Sequence, residues 1–204
     1  MILFWKAEAL GALAFVHLAK GELSEVEAII QRIDNSGQKP AAYFYTTHVA
    51  LAECEFWLKK QNNERLFQVT DLFFQKLDQG DNSIFIPYAH YYRAEALRQM
   101  GMQEQAGEAF DLAVHISRNT SQRQVLWKTL AAQASFQLGL GNQEAARESA
   151  REAWGVIQYI AEHTGAVDLR HSFLNLLVVK EVAGLVLRAD QRPLNPETGT
   201  MHPD

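Results

Sequence analysis

Apolar residues recur at helical spacing along most of the chain. Before Gly21 come Leu10, Leu13, Ala14 and Leu18, three and four residues apart, and after it Val26, Ile29, Ile30 and Ile33 repeat the spacing. Two apolar stripes parted by a glycine read as two helices joined by a turn, since glycine readily takes the left-handed backbone that ends a helix. The layout returns at Gly101 in LRQMGMQEQAGEAF and at Gly141 in FQLGLGNQEAARES, which sets a period of forty residues with one marker missing at position 61. Gln61 stands there, followed by Asn62 and Asn63. Asparagine tolerates the left-handed conformation nearly as glycine does, so the asparagines are expected to fill the vacancy. Two further positions keep the register. Seven residues before the marker come Ala14, Cys54, Ala94 and Ala134, all small, and five after it Val26, Leu66, Ala106 and Ala146, all apolar. A small residue suits a close helix crossing, and an apolar one suits the face turned back onto it.

The pattern predicts an all-α fold, an α-α superhelix of four antiparallel helix pairs with a C-terminal capping helix. The pairs fall at about 3–20 and 24–35, 41–60 and 63–79, 86–100 and 103–118, and 122–139 and 143–163. They define units 1–40, 41–80, 81–120 and 121–163, with Pro40, Pro87 and the polar stretch Ser117–Gln122 at the handovers. A last helix, 167–187, stands unpaired and closes a repeat domain over 1–188. Residues 189–204 hold three of the five prolines and are expected to form a disordered tail.

Composition narrows the picture further. A chain of 204 residues that is 48% hydrophobic and 21% charged has too much apolar content for a disordered protein. Its single cysteine, Cys54, excludes an intramolecular disulfide framework and a cysteine-rich zinc site. Nineteen basic against twenty-four acidic residues, a net charge of −5, speak against direct nucleic-acid binding. The apolar start, Met1 to Lys20, carries Lys6 and Glu8 inside the run, unlike a secretory signal, and its uncharged stretch is about half the ~20 residues a membrane span needs. The expected setting is the cytoplasm, with no membrane contact.

The third unit, with Ala94, Leu97, Gly101, Ala106, Phe110 and Ala113, resembles a tetratricopeptide repeat. That family places a small residue in the first helix, a glycine at the turn, and Ala, an aromatic and Ala in the second helix. The fourth unit has Ala150 where the aromatic stands. A narrower likeness runs through Gln124–Lys128, Leu138–Gly141, Glu144–Arg147, Ile157 and Asp168–Leu174. This stretch is similar to the final repeats of large bacterial signalling proteins, in which a nucleotide-triphosphatase switch precedes a repeat superhelix. The resemblance implies a sensor or scaffold segment of a longer polypeptide.

Candidate chemistry is sparse. Gly139-Leu-Gly141 follows a helix and lacks the third glycine and the Lys-Ser/Thr of a phosphate loop, so it reads as a helix–helix turn. Cys54 shares the small crossing position and has no basic neighbour in sequence, so it reads as packing rather than as a nucleophile. His17, His48, His90 and His115 fall singly, without metal-ligand spacing. No enzyme, cofactor or metal site is expected. The first helix of each pair lines the inner groove in repeats of this kind, and on that face unit three puts Tyr88, Tyr91, Glu95 and Arg98. Unit two adds His48, Leu51, Glu55 and Lys59, and unit four Lys128 and Ser135. Mixed charge interleaved with aromatics suits a protein or peptide segment. The Lys, Asn and Arg set of the family's chaperone-tail clamp is missing from this face. A small-molecule-sensing superhelix that regulates an attached domain is the alternative. The apolar start, with Phe4 and Trp5, is expected to self-associate or to dock on a preceding repeat.

Overall fold

The computed structural model describes residues 2–35, 47–77 and 83–191, with the side chains of 2–8, 47, 76 and 83 not described. Pro40, the residues 41–46 assigned to a helix start, most of the 189–204 tail, and the side chains of Phe4 and Trp5 therefore lie outside the described residues. Ten α-helices are described: α1 (Ile2–Lys20), α2 (Leu23–Asn35), α3 (Thr47–Lys59), α4 (Asn63–Leu77), α5 (Ile86–Gln99), α6 (Gln103–Asn119), α7 (Arg123–Gly139), α8 (Gln143–Glu162), α9 (Val167–Leu174) and α10 (Leu177–Asp190). One 3₁₀ turn, Ser83–Phe85, leads into α5, and no strand occurs among the described residues. The chain is all-α, and its helices pack mainly on their neighbours in pairs.

The turns explain the period. Gly21, Gln61, Gly101 and Gly141 all have left-handed backbone, with φ of 75°, 55°, 77° and 79°. At Gly101 the amide donates to the Arg98 carbonyl and the Met102 amide to the Leu97 carbonyl. This is the Schellman pattern, which satisfies the orphan carbonyls of a helix end. Gln61 repeats it, with its own amide on Leu58 and that of Asn62 on Trp57. The register at position 61 thus stands, but the expected occupant does not. Gln61 itself takes the left-handed turn, and Asn62 instead accepts the Arg65 amide on Oδ1 at 3.1 Å, as a cap for α4. Ser121, with φ of 56°, makes the same turn between α6 and α7.

The helices group into two compact units, Met1–Thr129 and Leu130–Asp204. In the first, α1 packs on α3, α4 on α5 and α5 on α6. The small position is buried throughout the chain (Ala14, Cys54, Ala94 and Ala134), and so is the apolar one (Val26, Leu66, Ala106 and Ala146). Close approach is most evident at Gly11, where an added Cβ would sit 3.0 Å from the Val49 nitrogen and 3.1 Å from the His48 Cβ. Phe56, Phe73 and Phe110 are fully buried and fill the space between helices.

In the second unit the C-terminal segment departs from expectation twice. The single helix assigned to 167–187 is broken between α9 and α10. Asn175 turns its side-chain amide onto the His171 carbonyl at 3.0 Å, and Leu176 then takes extended backbone, φ −57° and ψ 136°. A short polar side chain that bonds the preceding turn competes with helix continuation. Nor does the segment stand unpaired. Gln143 on α8 donates to the Ala189 carbonyl at 2.7 Å, and Arg151 meets Asp190 at 2.8 Å. Ala150, small where the third unit has Phe110, shares a buried cluster with Ala134, Leu185 and Ala189. The position needs no aromatic because α10 brings Leu185 to it.

Candidate functional site

The residues assigned to the inner groove come mainly from α3 and α5, which pack against each other. Glu55 lies at the centre. The Tyr92 hydroxyl donates to its Oε2 at 3.0 Å, and the Lys59 ammonium approaches its Oε1 at 3.7 Å from one helical turn on. On α5, Arg98 holds Glu95 through Nε at 3.1 Å and Nη2 at 2.7 Å, both on Oε2. Glu95 is buried, Arg98 is exposed, and Glu55 is half-buried. The Tyr91 and Tyr92 rings lie 4.9 Å apart, Tyr92 buried and Tyr91 half-buried.

This setting fixes the charge state of the phenols. Burial pushes Tyr91 well above the ordinary phenol range, the Glu95 and Glu55 carboxylates add to the shift, and Arg98 opposes it. Burial does the same for Tyr92, with Glu55 next in weight. Burial alone raises Tyr88. Burial, and for Tyr91 and Tyr92 a neighbouring carboxylate, disfavours the phenolate, so all three stay neutral further into alkaline pH than an exposed tyrosine. The face therefore offers two carboxylates, two cations and neutral phenols, with charges balanced inside the cluster.

Of the predicted residues, Glu55, Lys59, Tyr91, Glu95 and Arg98 come together here. Tyr88 is half-buried beside Phe85, with ring centres 6.4 Å apart. His48 lies at the α1–α3 crossing, edge-on to Phe15 at 6.5 Å. Lys128, on α7, has its ammonium 5.9 Å from the ring of its neighbour Trp127. Tyr92, which lies outside the residues assigned to the groove, donates from α5 to Glu55 on α3 and so ties the two helices together.

A second feature went unread in the sequence. A cleft of about 370 Å³ opens between α2, α3 and α4. Ile30, Phe56, Trp57, Val69 and Leu72 give it apolar walls, and Glu27, Asp34, Glu53 and Arg65 supply charge. Glu53 is buried, and Trp57 Nε1 donates to its carboxylate at 3.2 Å. Lys60 pairs with Glu27 at 3.4 Å. The sequence carried one signal for this cleft. Glu53 sits in the register of Val49 and Phe56, on a face that the helical period assigns to burial, and a buried carboxylate there needs a purpose-built setting. Among the described residues no three potential metal ligands gather, and no helix is long and apolar enough to cross a membrane.

These features define a class: an all-helical chain of packed helix pairs repeating every forty residues, with a polar aromatic face on α3 and α5. Comparison with protein-family models and with curated proteins gives no match for the chain.

Proposed function

We propose that the chain is a non-catalytic interaction module of tetratricopeptide-like repeats that binds a protein or peptide segment on the α3–α5 face, as a scaffold within a bacterial signalling polypeptide in the cytoplasm. The observation that carries this reading is the pairing of Glu55 with Lys59 and of Glu95 with Arg98 around Tyr91. Aromatic area supplies contact energy at small entropic cost, and pre-paired charges present fixed donors and acceptors to an extended backbone. Selection from a random peptide display library tests it. The expected result is a recurring peptide motif whose binding is lost in Tyr91→Ala and Arg98→Ala and kept in Arg65→Ala, which alters only the cleft. Failure to select any motif, or a motif indifferent to the α5 substitutions, overturns the reading.

The cleft favours a second reading, a small-molecule sensor. Its volume lies in the range of ligand pockets, and its walls combine apolar area with a few charged groups. Under that reading a metabolite screen by thermal shift finds stabilising compounds, and Arg65→Ala removes the effect.

A further inference from the structure

Equivalent side chains surround the same inter-helix space in units two and three, forty residues apart. In unit three a cation fills that space from within. The Arg93 guanidinium of α5 lies 3.9 Å from the Phe67 ring centre and 5.6 Å from that of Phe74, both on α4, and pairs with the Asp71 carboxylate. A carboxylate and aromatic faces together favour a guanidinium, through charge-assisted hydrogen bonds and the ring quadrupole. In unit two, Glu27, Gln31 and Asp34 of α2 hold the positions of Phe67, Asp71 and Phe74, and Glu53 of α3 holds that of Arg93. The charge of the central side chain is reversed, and the space is the cleft of about 370 Å³, whose lining residues all belong to the described part of the chain. Glu53, 3% exposed, forms its floor, beside the Trp57 ring that replaces Leu97 of unit three. Arg65 is exposed at the rim.

We propose that the cleft binds a small molecule that carries a guanidinium and a carboxylate on one aliphatic stem, as free L-arginine does. The guanidinium meets the Glu53 carboxylate and lies on the Trp57 ring, the carboxylate-and-ring setting that Arg93 finds forty residues on. Burial lowers the dielectric around Glu53 and strengthens its attraction for a cation. Ile30, Val69 and Leu72 supply apolar wall for the stem, and Arg65 at the rim takes the ligand's carboxylate. The charges agree with this assignment. Three carboxylates line the cleft, Glu27, Asp34 and Glu53, against Arg65 and the Lys60 that pairs with Glu27, an excess of one negative charge. Arginine, with two cationic groups and one carboxylate, brings one net positive charge. The volume lies near the lower end of ligand pockets, which suits one amino acid and not a length of peptide. This assignment rests on the cleft reading above and is independent of the function proposed for the α3–α5 face.

Isothermal titration calorimetry of the full chain with L-arginine tests the proposal. Saturable binding is expected, and L-citrulline, the same stem with a neutral ureido group, should bind about tenfold or more weakly, since hydrogen bonds to charged groups are the strong ones. Glu53→Gln should weaken arginine by a similar factor while helical circular dichroism stays as in the parent. Arg65→Ala reads the other end of the ligand from an exposed position that folding does not depend on. It should weaken arginine about tenfold and leave agmatine, which lacks the carboxylate, bound no more weakly than by the parent. Absence of arginine binding overturns the proposal, as does equal affinity for citrulline, or an affinity for arginine that Arg65→Ala leaves unchanged or a folded Glu53→Gln leaves unchanged. If arginine fails while another compound stabilises the parent and loses its effect in Arg65→Ala, the proposal falls and the cleft reading stands. If no compound does so, both fall.

Discussion

Exchanging the residues at two equivalent turns should move stability in opposite directions. Gln61 and Gly101 hold the same turn, forty residues apart and in the same compact unit, with φ of 55° and 77°. An L-residue in left-handed backbone costs about 1–2 kcal/mol, because Cβ crowds the following carbonyl. Glycine avoids that cost but gives up about 0.4–1 kcal/mol through its greater freedom in the unfolded chain. Taken at the middle of each range, the difference leaves about 0.8 kcal/mol in favour of glycine. Packing adds nothing at either site. Gln61 is exposed, and an added Cβ at Gly101 meets no atom within 4 Å. Gln61→Gly should therefore stabilise and Gly101→Gln destabilise by this amount. Urea unfolding followed at 222 nm reads it as midpoint shifts of opposite sign, with an unchanged slope in denaturant. If Gln61→Gly lowers the midpoint, or if both variants match the parent, the turn does not select for left-handed backbone and the physical basis of the period fails.

Two other outcomes follow from the packing. Ala94→Leu and Ala134→Leu should each destabilise by roughly 1–3 kcal/mol, because both sites are fully buried at a helix crossing and a larger side chain forces backbone shifts; melting curves equal to the parent's would refute this. His90, against the Phe74 ring at 4.7 Å, is held below its ordinary pKa of 6.5 first by burial and then by the nearby Arg93 charge. The folded state keeps the ring neutral while the unfolded chain takes up a proton, so this contribution is complete above about pH 6.5 and is lost as pH falls from there through the lowered folded value. The urea midpoint should drop between about pH 7.5 and pH 5.5, and by less in His90→Gln; an equal drop in the variant assigns the effect to other groups.

The sequence by itself determined the helices, their turns and the register of the buried positions. Those features are local. Helical spacing, a small residue at each crossing and a left-handed residue at each turn act within a few positions of one another, so Ala94 and Gly101 announce their roles without knowledge of the fold. The period even located Gln61 as a turn, although its side chain gave no hint and the neighbouring asparagines pointed elsewhere. Part of the polar face was legible for the same reason, since Glu95 and Arg98 lie one turn apart on a single helix. The pairing of Tyr92 with Glu55 was not, because it spans 37 residues and depends on how α5 lies against α3. The cleft around Glu53 draws on three helices, and nothing in the spacing along any one of them encodes it. The break at Asn175 arose from a side chain's choice between its own helix and solvent, and the docking of Asp190 on Arg147 and Arg151 from contacts across about forty residues. Periodicity specifies which side of a helix is buried; only the tertiary arrangement decides which groups meet there, because the distance between helices and their rotation are set by all the side chains packed between them.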